Sequence, residues 1–248
     1  MFLRSTVTLG LFLVCFSVNP LKGSDFREFR NTAGQMIKAR PLSVFGSKVR
    51  IELEDRRQMN VDKSIFTKEG SDYLVDWAIS ELGKSGKLLK LNVTKREEMV
   101  KEYTEDVKLT DGTTAKDAME IEEFEGYYDL IMENESDFPI NGMLVEYRTF
   151  SEQDKVAAKG RDEVLIKSEA GSLTVDLLPG DETRKSTDVI KMRETNMGQG
   201  ISYTGGGDTA SKAKMIGIWT KFYYKGQLIM EYALPRDIPK RYEWDSKP

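Results

Sequence analysis

The sequence contains no histidine, and its only cysteine is Cys15. Without imidazole the chain cannot use Ser-His-Asp or Cys-His catalysis, histidine metal ligands or a histidine proton switch. Removal of the N-terminal segment that carries Cys15 would also exclude thiolate chemistry, disulfides and cysteine zinc sites from the rest of the chain. Carboxylate chemistry, lysine chemistry or no chemistry are the options that remain.

Long hydrophobic runs are also scarce, and the one at 9–16 follows Arg4 and precedes a small Gly-Ser pair at 23–24. This order is typical of a secretory signal peptide, and the run is shorter than the about 20 residues that span a bilayer. Lipid attachment at Cys15 is disfavoured because bulky residues precede it. We therefore predict that 1–24 is a signal peptide cleaved near Ser24, which leaves a secreted or periplasmic protein without a transmembrane anchor.

Positive charge is scattered along the chain rather than clustered. The formal net charge is −4, and it becomes −6 once Arg4 and Lys22 leave with the signal peptide. Nucleic-acid binding needs a clustered basic face, so we predict no nucleic-acid partner. A chain of 248 residues that is 39% hydrophobic can build one mid-sized domain and a small one.

Short strand signals follow one another closely in a first predicted domain at 25–83. The clearest is 49–53, where three apolar residues expected to point inward alternate with Arg50 and Glu52, which are expected to face water. A helix is predicted from Thr67, a favourable N-cap, to Gly83, which is expected to end it. Its apolar positions recur at three- and four-residue steps: Tyr73, Leu74, Trp77, Ala78 and Leu82.

A small domain without disulfides buries little surface, so we expect the two aromatic residues of this helix, Tyr73 and Trp77, to close the strands as a plug.

The order of glycine, aromatic and alternating positions in this domain resembles the Sla-homology domain. The matching positions are Phe29-Arg30-Asn31-Thr32-Ala33-Gly34, Ala39, Gly46-Ser47-Lys48-Val49-Arg50-Ile51-Glu52-Leu53, Val61, Thr67 and Tyr73-Leu74-Val75-Asp76-Trp77. The resemblance implies an SH3-like barrel of a kind found in exported bacterial proteins, named from a eukaryotic adaptor in which it recognises a short peptide signal. The chain departs from the family at Asp55-Arg56-Arg57, where members usually carry Asp-Gly, which implies a different hairpin turn.

A polar, glycine-bearing linker is predicted at 84–87, followed by a second domain at 88–234. Strands with turn signals at short intervals favour an immunoglobulin- or fibronectin-like antiparallel β-sandwich. The clearest hairpin turns at Lys225-Gly226, whereas the charged segment 96–108 is open between a short helix and a strand. The predicted fold is therefore mainly β: a small SH3-like barrel with one C-terminal helix, then an antiparallel sandwich.

The C-terminal tail, 235–248, carries an aromatic pair at Tyr242 and Trp244. A free tail seldom keeps two such side chains, so we expect both to dock on a domain surface.

Several acids could furnish chemistry, and they lie along one predicted strand: Glu120, Glu122, Glu123 and Glu125. A glycosidase pair or an oxygen-rich cation site would use such residues, but their spacing favours a solvated strand face. The glycine clusters at 198–200 and 205–207 lack the lysine and the strand-to-helix context of a phosphate-binding loop. No catalytic residue, metal site or cofactor is predicted, and no residue set identifies the binding site.

These observations predict an exported, non-enzymatic binding or assembly module of the cell envelope, whose partner is a peptide, protein or glycan. Two alternatives remain: a carboxylate-dependent hydrolase of envelope polysaccharide, and a structural protein that associates with itself.

Overall fold

The computed structural model of the protein describes residues 26–154, 164–202 and 206–244. The predicted signal peptide and its cleavage site lie outside these residues. The chain is mainly β, with antiparallel sheets and one long helix. It divides into two compact units after Gly70, inside the helix rather than at 84–87, and the predicted domain boundaries stay a prediction.

The first unit contains one antiparallel sheet whose four strands pair in chain order. Its strands are β1 (Arg27–Arg30), β2 (Met36–Phe45), β3 (Lys48–Leu53) and β4 (Gln58–Asp62). Its buried side chains are Phe29, Ala39, Val44, Val49, Ile51 and Phe66. The rings of Phe29 and Phe66 lie 5.2 Å apart between centroids, so the chain that follows β4 returns to pack on β1.

One side chain of β3 differs from its predicted environment. Glu52 was expected to face water, yet it is only 6% exposed. Its Oε2 accepts a hydrogen bond from Nη2 of Arg40 on β2 at 3.0 Å, and the ring of Phe26 lies 5.3 Å from the guanidinium carbon of Arg40. Alternation alone could not predict this, because a charge is buried only where a partner compensates it.

The turn between β3 and β4 contains the predicted departure from the family pattern. Arg56 has a φ of 68°, a region that glycine normally occupies. The carboxylate of Asp55 accepts a hydrogen bond from the backbone N–H of Arg57 at 3.0 Å. The Asp-Arg-Arg sequence therefore closes the hairpin with an Asx turn.

The helix α1 (Lys68–Lys84) begins in the first unit and belongs from Ser71 onward to the second. Its buried side chains include Leu74, Ala78 and Ile79, while Tyr73 and Trp77 are half-buried. The expected docking of these two aromatic residues on the barrel stays a prediction.

Gly83 does not end the helix. The helix continues to Lys84, and Gly86, with a φ of 69°, takes the left-handed position. The backbone N–H of Gly86 donates to the carbonyl of Gly83, and that of Lys87 donates to Leu82, the two bonds of a Schellman motif.

Gly83 is instead a contact residue. A Cβ at this position would lie 2.7 Å from Cβ of Ile229, so glycine permits the helix to approach the strand β13 (Gln227–Leu234). A second contact lies about two turns earlier, where Asp76 accepts hydrogen bonds from the hydroxyl of Tyr224 at 2.9 Å and from Nζ of Lys225 at 2.5 Å. Burial, together with this carboxylate, raises the pKa of Tyr224, which therefore stays protonated.

The remaining strands of the second unit form two antiparallel sheets. Their bounds are β5 (Leu89–Lys108), β6 (Thr114–Asn134), β7 (Ile140–Asp154), β8 (Val164–Leu177), β9 (Glu182–Ser186), β10 (Ile190–Met197), β11 (Ala210–Ser211) and β12 (Ala213–Tyr224). The β6 sheet has the order β11-β10-β6-β5, with β9 also paired to β6; the β7 sheet has the order β13-β12-β7-β8.

The two sheets contact each other through their buried faces. A Cβ on Gly126 of β6 would lie 2.3 Å from Sδ of Met215 on β12, so the strands approach closely there. On β7, the hydroxyl of Tyr147 donates to Oδ2 of Asp188 at 3.0 Å and accepts from its backbone N–H at 2.9 Å. The core between the sheets therefore combines apolar packing with satisfied polar groups.

The connection from β6 to β7 is held by Asn134, which is 1% exposed. Its Nδ2 donates to the carbonyls of Phe138 at 2.8 Å and Leu177 at 3.2 Å. Its Oδ1 accepts from the backbone N–H of Ser136 at 3.0 Å and from its hydroxyl at 2.7 Å. One side chain thus satisfies the backbone of a whole buried turn.

The C-terminal segment packs on the β7 sheet, as expected for Tyr242 and Trp244. It contains the short helix α2 (Ile238–Arg241), whose Ile238 is fully buried with Phe150 and Trp219. A Cβ on Gly217 would come within 2.5 Å of Ile238, so this glycine opens the space that Ile238 fills.

Candidate functional site

An open cleft of about 270 Å³ lies in the second unit, where residues of both sheets meet. The β6 sheet contributes from β5, β6 and β10, and the β7 sheet from β7 and β8. The bordering residues are Val100, Glu123, Phe124, Glu125, Gln153, Lys167, Lys191, Met192 and Arg193. Concave surfaces with an apolar floor and a few polar groups are the usual form of ligand sites.

Phe124 and Met192 form the apolar floor of the cleft, and they belong to an apolar row that continues onto β5 at Met99. Met99 of β5, Phe124 of β6 and Met192 of β10 are direct cross-strand neighbours. Met192 is 6% exposed, Phe124 is half-buried and Met99 is 53% exposed. Cε of Met192 lies beside Gly126, on the side of the sheet that faces Met215. The row therefore lies on the inner face and becomes progressively more open toward β5.

The side chains of the charged residues that border the floor point to the outer face of the β6 sheet. Lys191 pairs with Glu125 and Arg193 with Glu123, one position out of phase with Phe124 and Met192. Because successive side chains of a strand alternate between faces, these four lie on the outer face and border the cleft with their backbone.

Contacts on the outer face agree with this direction. The hydroxyl of Tyr103 donates to Oε1 of Glu123 at 2.9 Å, which raises the pKa of Tyr103. Arg193 forms an ion pair with Glu105 at 3.4 Å. Both partners belong to β5 on the outer face. The carboxylate of Glu123 is therefore engaged in a hydrogen bond on the outer face, away from the cleft.

The other two acids singled out in the sequence also have positions outside the cleft. Glu120 is exposed and accepts a hydrogen bond from Nδ2 of Asn196 at 3.3 Å. Glu122 lies beside Glu194, whose carboxylate accepts the backbone N–H of Ala213 at 3.2 Å. Within 26–154, 164–202 and 206–244, no cluster of acidic residues is arranged to hold a metal ion.

Gln153 of β7 forms the rim between the sheets. Its Nε2 donates to the carbonyl of Arg193 at 2.9 Å and to Oγ of Ser211 at 2.9 Å, with Lys212 as a third acceptor at 3.3 Å. A side-chain amide therefore occupies a backbone acceptor of β10 that a neighbouring strand would otherwise use.

Lys167 of β8 is the cation that the β7 sheet contributes to the lining of the cleft. It pairs in register with Ser151, which is buried on the inner face. Lys167 is exposed and makes no hydrogen bond or ion pair with any described residue. Two residues earlier on the same face, Leu165 is 47% exposed. The exposed ammonium group of Lys167 thus lies next to the exposed apolar side chain of Leu165.

Both strands that flank the opening have a free edge among the described residues. β8 is the last strand of its sheet. β10 pairs with β11 only at Thr195 and Asn196, so its edge at 190–194 has no neighbouring strand. Such edges expose backbone donors and acceptors that can pair with another chain.

The glycine clusters do not form a phosphate site in the part of the chain that is described. The backbone N–H of Gly198 donates to the carbonyl of Ala118 at 2.9 Å, and Gly200 has a φ of 85°. This arrangement follows β10 and is a turn without a helix behind it. Part of the second cluster lies outside the described residues.

Sequence reasoning did not find this cleft. The local feature of the sequence that could have indicated the cleft is Phe124, an aromatic residue between Glu123 and Glu125 in an acidic strand. The contribution of Gln153 and Lys167 could not be found in this way, because they come from another sheet and no short-range pattern joins them to Phe124.

Comparisons with known proteins give no family for this chain. No protein-family model matches it, and no curated protein does so either. Among solved structures, the X-ray structure of Northeast Structural Genomics Consortium target SoR45 is similar with a TM-score of 0.23 and 8% sequence identity. That match covers 58% of this chain and 84% of the other, and a likeness this weak supports no conclusion about fold or function. Neither helix of the described segments is long and apolar enough to cross a membrane.

Proposed function

We propose that the protein is an exported, non-enzymatic binding or assembly module of the cell envelope, which takes a peptide, protein or glycan in the cleft of its second unit. The observation that supports this proposal most is the combination of an apolar floor at Phe124 and Met192 with the ammonium group of Lys167, which has no partner among the described residues. A ligand would cover the floor and offer a partner to the cation.

The non-enzymatic part of the proposal is supported by the direction of the acids. A retaining or inverting glycosidase needs two carboxyl groups about 5–10 Å apart that face the same substrate. Glu123 and Glu125 border the cleft, but strand alternation directs both side chains to the opposite face. The chain also has no histidine to act as a base. The two acids that border the cleft therefore do not favour the hydrolase alternative.

We propose further that the first unit is an SH3-like Sla-homology barrel and that the second is an immunoglobulin-like β-sandwich. Four antiparallel strands in chain order support the former, together with the sequence resemblance. Two antiparallel sheets with contacting buried faces support the latter.

Export is proposed from the sequence of 1–24 alone, and it has a direct test. The full chain is expressed in a bacterial host, and the N-terminus of the accumulated protein is determined by mass spectrometry. We expect a mature chain that starts near Asp25 in the periplasm or medium. An intact chain that begins at Met1 and stays in the cytoplasm would contradict export.

Binding is tested with the mature protein on peptide and glycan arrays. Phe124→Ser should remove the bound signal, because it replaces the centre of the apolar floor with a polar side chain. Phe45→Ser is the matched control: the same substitution at a side chain that is 71% exposed in the first unit. Unchanged circular dichroism of both variants establishes that they are folded. Binding that survives Phe124→Ser and disappears with Phe45→Ser would place the ligand elsewhere and contradict the proposal.

A further inference from the structure

The cleft and the free edge beside it together specify a ligand class, and this inference rests on the proposed binding function. We propose that the edge of β10 at 190–194 accepts a short extended peptide as an added strand. One apolar side chain of the peptide covers Phe124 and Met192, and an acidic side chain pairs with Lys167.

The outward-facing backbone groups of the β10 edge favour a peptide as the ligand. Among the described residues, the β10 edge at 190–194 has no neighbouring strand over about one ordinary strand length, and pairing with β11 begins only at Thr195. The carbonyl of Arg193 is directed outward from this edge and is bound by the side-chain amide of Gln153, so an added peptide has to displace that amide to pair at this position. An extended peptide supplies a row of such donors and acceptors, as in other complexes where a strand is added to a sheet.

The apolar floor argues for one large side chain at the centre of that peptide. Phe124 and its neighbours Met99 and Met192 form a row of one aromatic and two flexible thioether side chains. Methionine adapts its shape to different partners and contacts aromatic rings favourably. A cleft of about 270 Å³ holds an amino-acid side chain rather than a large cofactor.

Charge complementarity predicts that the peptide also carries an acidic residue. Lys167 has no partner among the described residues, whereas the cations of the outer face lie beside acids: Lys191 beside Glu125, and Arg193 beside Glu105. In an extended peptide, side chains two positions apart lie on one face. The expected motif is therefore an apolar residue and an acidic residue separated by one position.

The test uses the mature full-length protein and a phage-displayed library of random seven-residue peptides. Wild-type protein should enrich peptides with the apolar-x-acidic motif. Lys167→Glu should enrich peptides with lysine or arginine in place of the acid. A synthetic peptide of the enriched sequence should bind Lys167→Glu at least about tenfold more weakly than wild type, the scale of one desolvated charge pair. Methylation of its central backbone nitrogens should weaken binding similarly, because strand addition needs the N–H groups.

Lys116→Glu is the matched control, since Lys116 is exposed near the start of β6 and has no partner among the described residues; it should select the same peptides as wild type. Identical enrichment on wild type and Lys167→Glu, or full binding of the methylated peptide, would overturn the inference while leaving a binding function intact. Binding to glycans with no peptide enriched would do the same. Absence of any ligand on both arrays and in the library would overturn the proposed function as well.

Discussion

The ring of Tyr242 stacks on the ring of Phe150, with centroids 4.7 Å apart and planes inclined by 18°. This contact joins the C-terminal segment to the outer face of β7. Beside it, Trp244 meets Trp219 edge to face at 5.0 Å, and Nζ of Lys221 lies 4.2 Å from the ring centre of Trp244. The segment is thus part of the packed structure of the second unit.

Tyr242→Ala should lower the free energy of unfolding by about 1–2 kcal/mol, because an aromatic pair contributes beyond the area that it buries. Urea unfolding followed by circular dichroism measures the change. Lys240→Ala, at an exposed position of α2, is the control and should have little effect. Equal stability of both variants would show that the stacking does not hold the segment.

Gly83→Ala should destabilise the protein by about 1–3 kcal/mol, the usual cost of overpacking. Helix propensity alone predicts the opposite sign, since alanine is favoured over glycine by about 1 kcal/mol inside a helix. The contact with Cβ of Ile229 decides the sign. Thermal unfolding separates the two expectations. Gly198→Ala is the control, because its Cβ would meet only the carbonyl of Ala118 at an ordinary 3.4 Å.

Asp129→Asn should reduce stability at neutral pH and remove part of its acid dependence. The Asp129 carboxylate is 6% exposed and accepts a hydrogen bond from the hydroxyl of Ser186, with Arg96 at 3.3 Å. These contacts lower the pKa of Asp129. A lowered pKa stabilises the fold above the unfolded-state value of about 3.9, and the contribution is lost as the pH falls through the folded-state value.

Urea unfolding of wild type and Asp129→Asn between neutral pH and pH 3 measures this difference, which should shrink below about pH 4. Asp137→Asn, at an exposed position, should follow the wild-type curve. A stability difference for Asp129→Asn that is constant across this range would contradict the assignment of the pH dependence to Asp129.

Asn134→Asp should cost about 1–3 kcal/mol, because a carboxylate cannot donate to the carbonyls of Phe138 and Leu177. The carbonyl of Phe138 would keep only the hydroxyl of Ser136 at 3.1 Å. Ser136→Ala should cost less, since it keeps both donors of Asn134 and removes only one hydroxyl. Chemical denaturation ranks the two variants. A larger loss for Ser136→Ala would indicate that the hydroxyl organises the turn.

The sequence predicted the mainly β character of the chain because strand alternation and turn residues are local signals. It left 96–108 open between helix and strand, and the structure forms a strand there, at the edge of the β6 sheet. Most side chains of that segment are exposed. Alternation of polarity arises only where one face is buried, so an edge strand exposed on both faces has no such pattern.

The errors at Gly83 and Glu52 have the same origin. Gly83 of α1 permits contact with Ile229 of β13, and Glu52 of β3 is buried against Arg40 of β2. Each residue therefore depends on a partner from a different secondary-structure element. The cleft also belongs to this class, since Phe124 and Lys167 come from different sheets. Local sequence indicates which residues are unusual, whereas the partner that explains each one is a property of the tertiary structure.

The two bonds that tie α1 to the end of β12 connect residues far apart in the chain: Asp76 and Tyr224 are separated by 148 positions. The helix can form these two bonds only after the chain has been synthesised through Lys225. Loop closure costs conformational entropy, and contacts between residues far apart in the sequence slow folding, so these two bonds should form late. The part of α1 around Asp76 should therefore gain protection from hydrogen exchange no earlier than the end of β12 does.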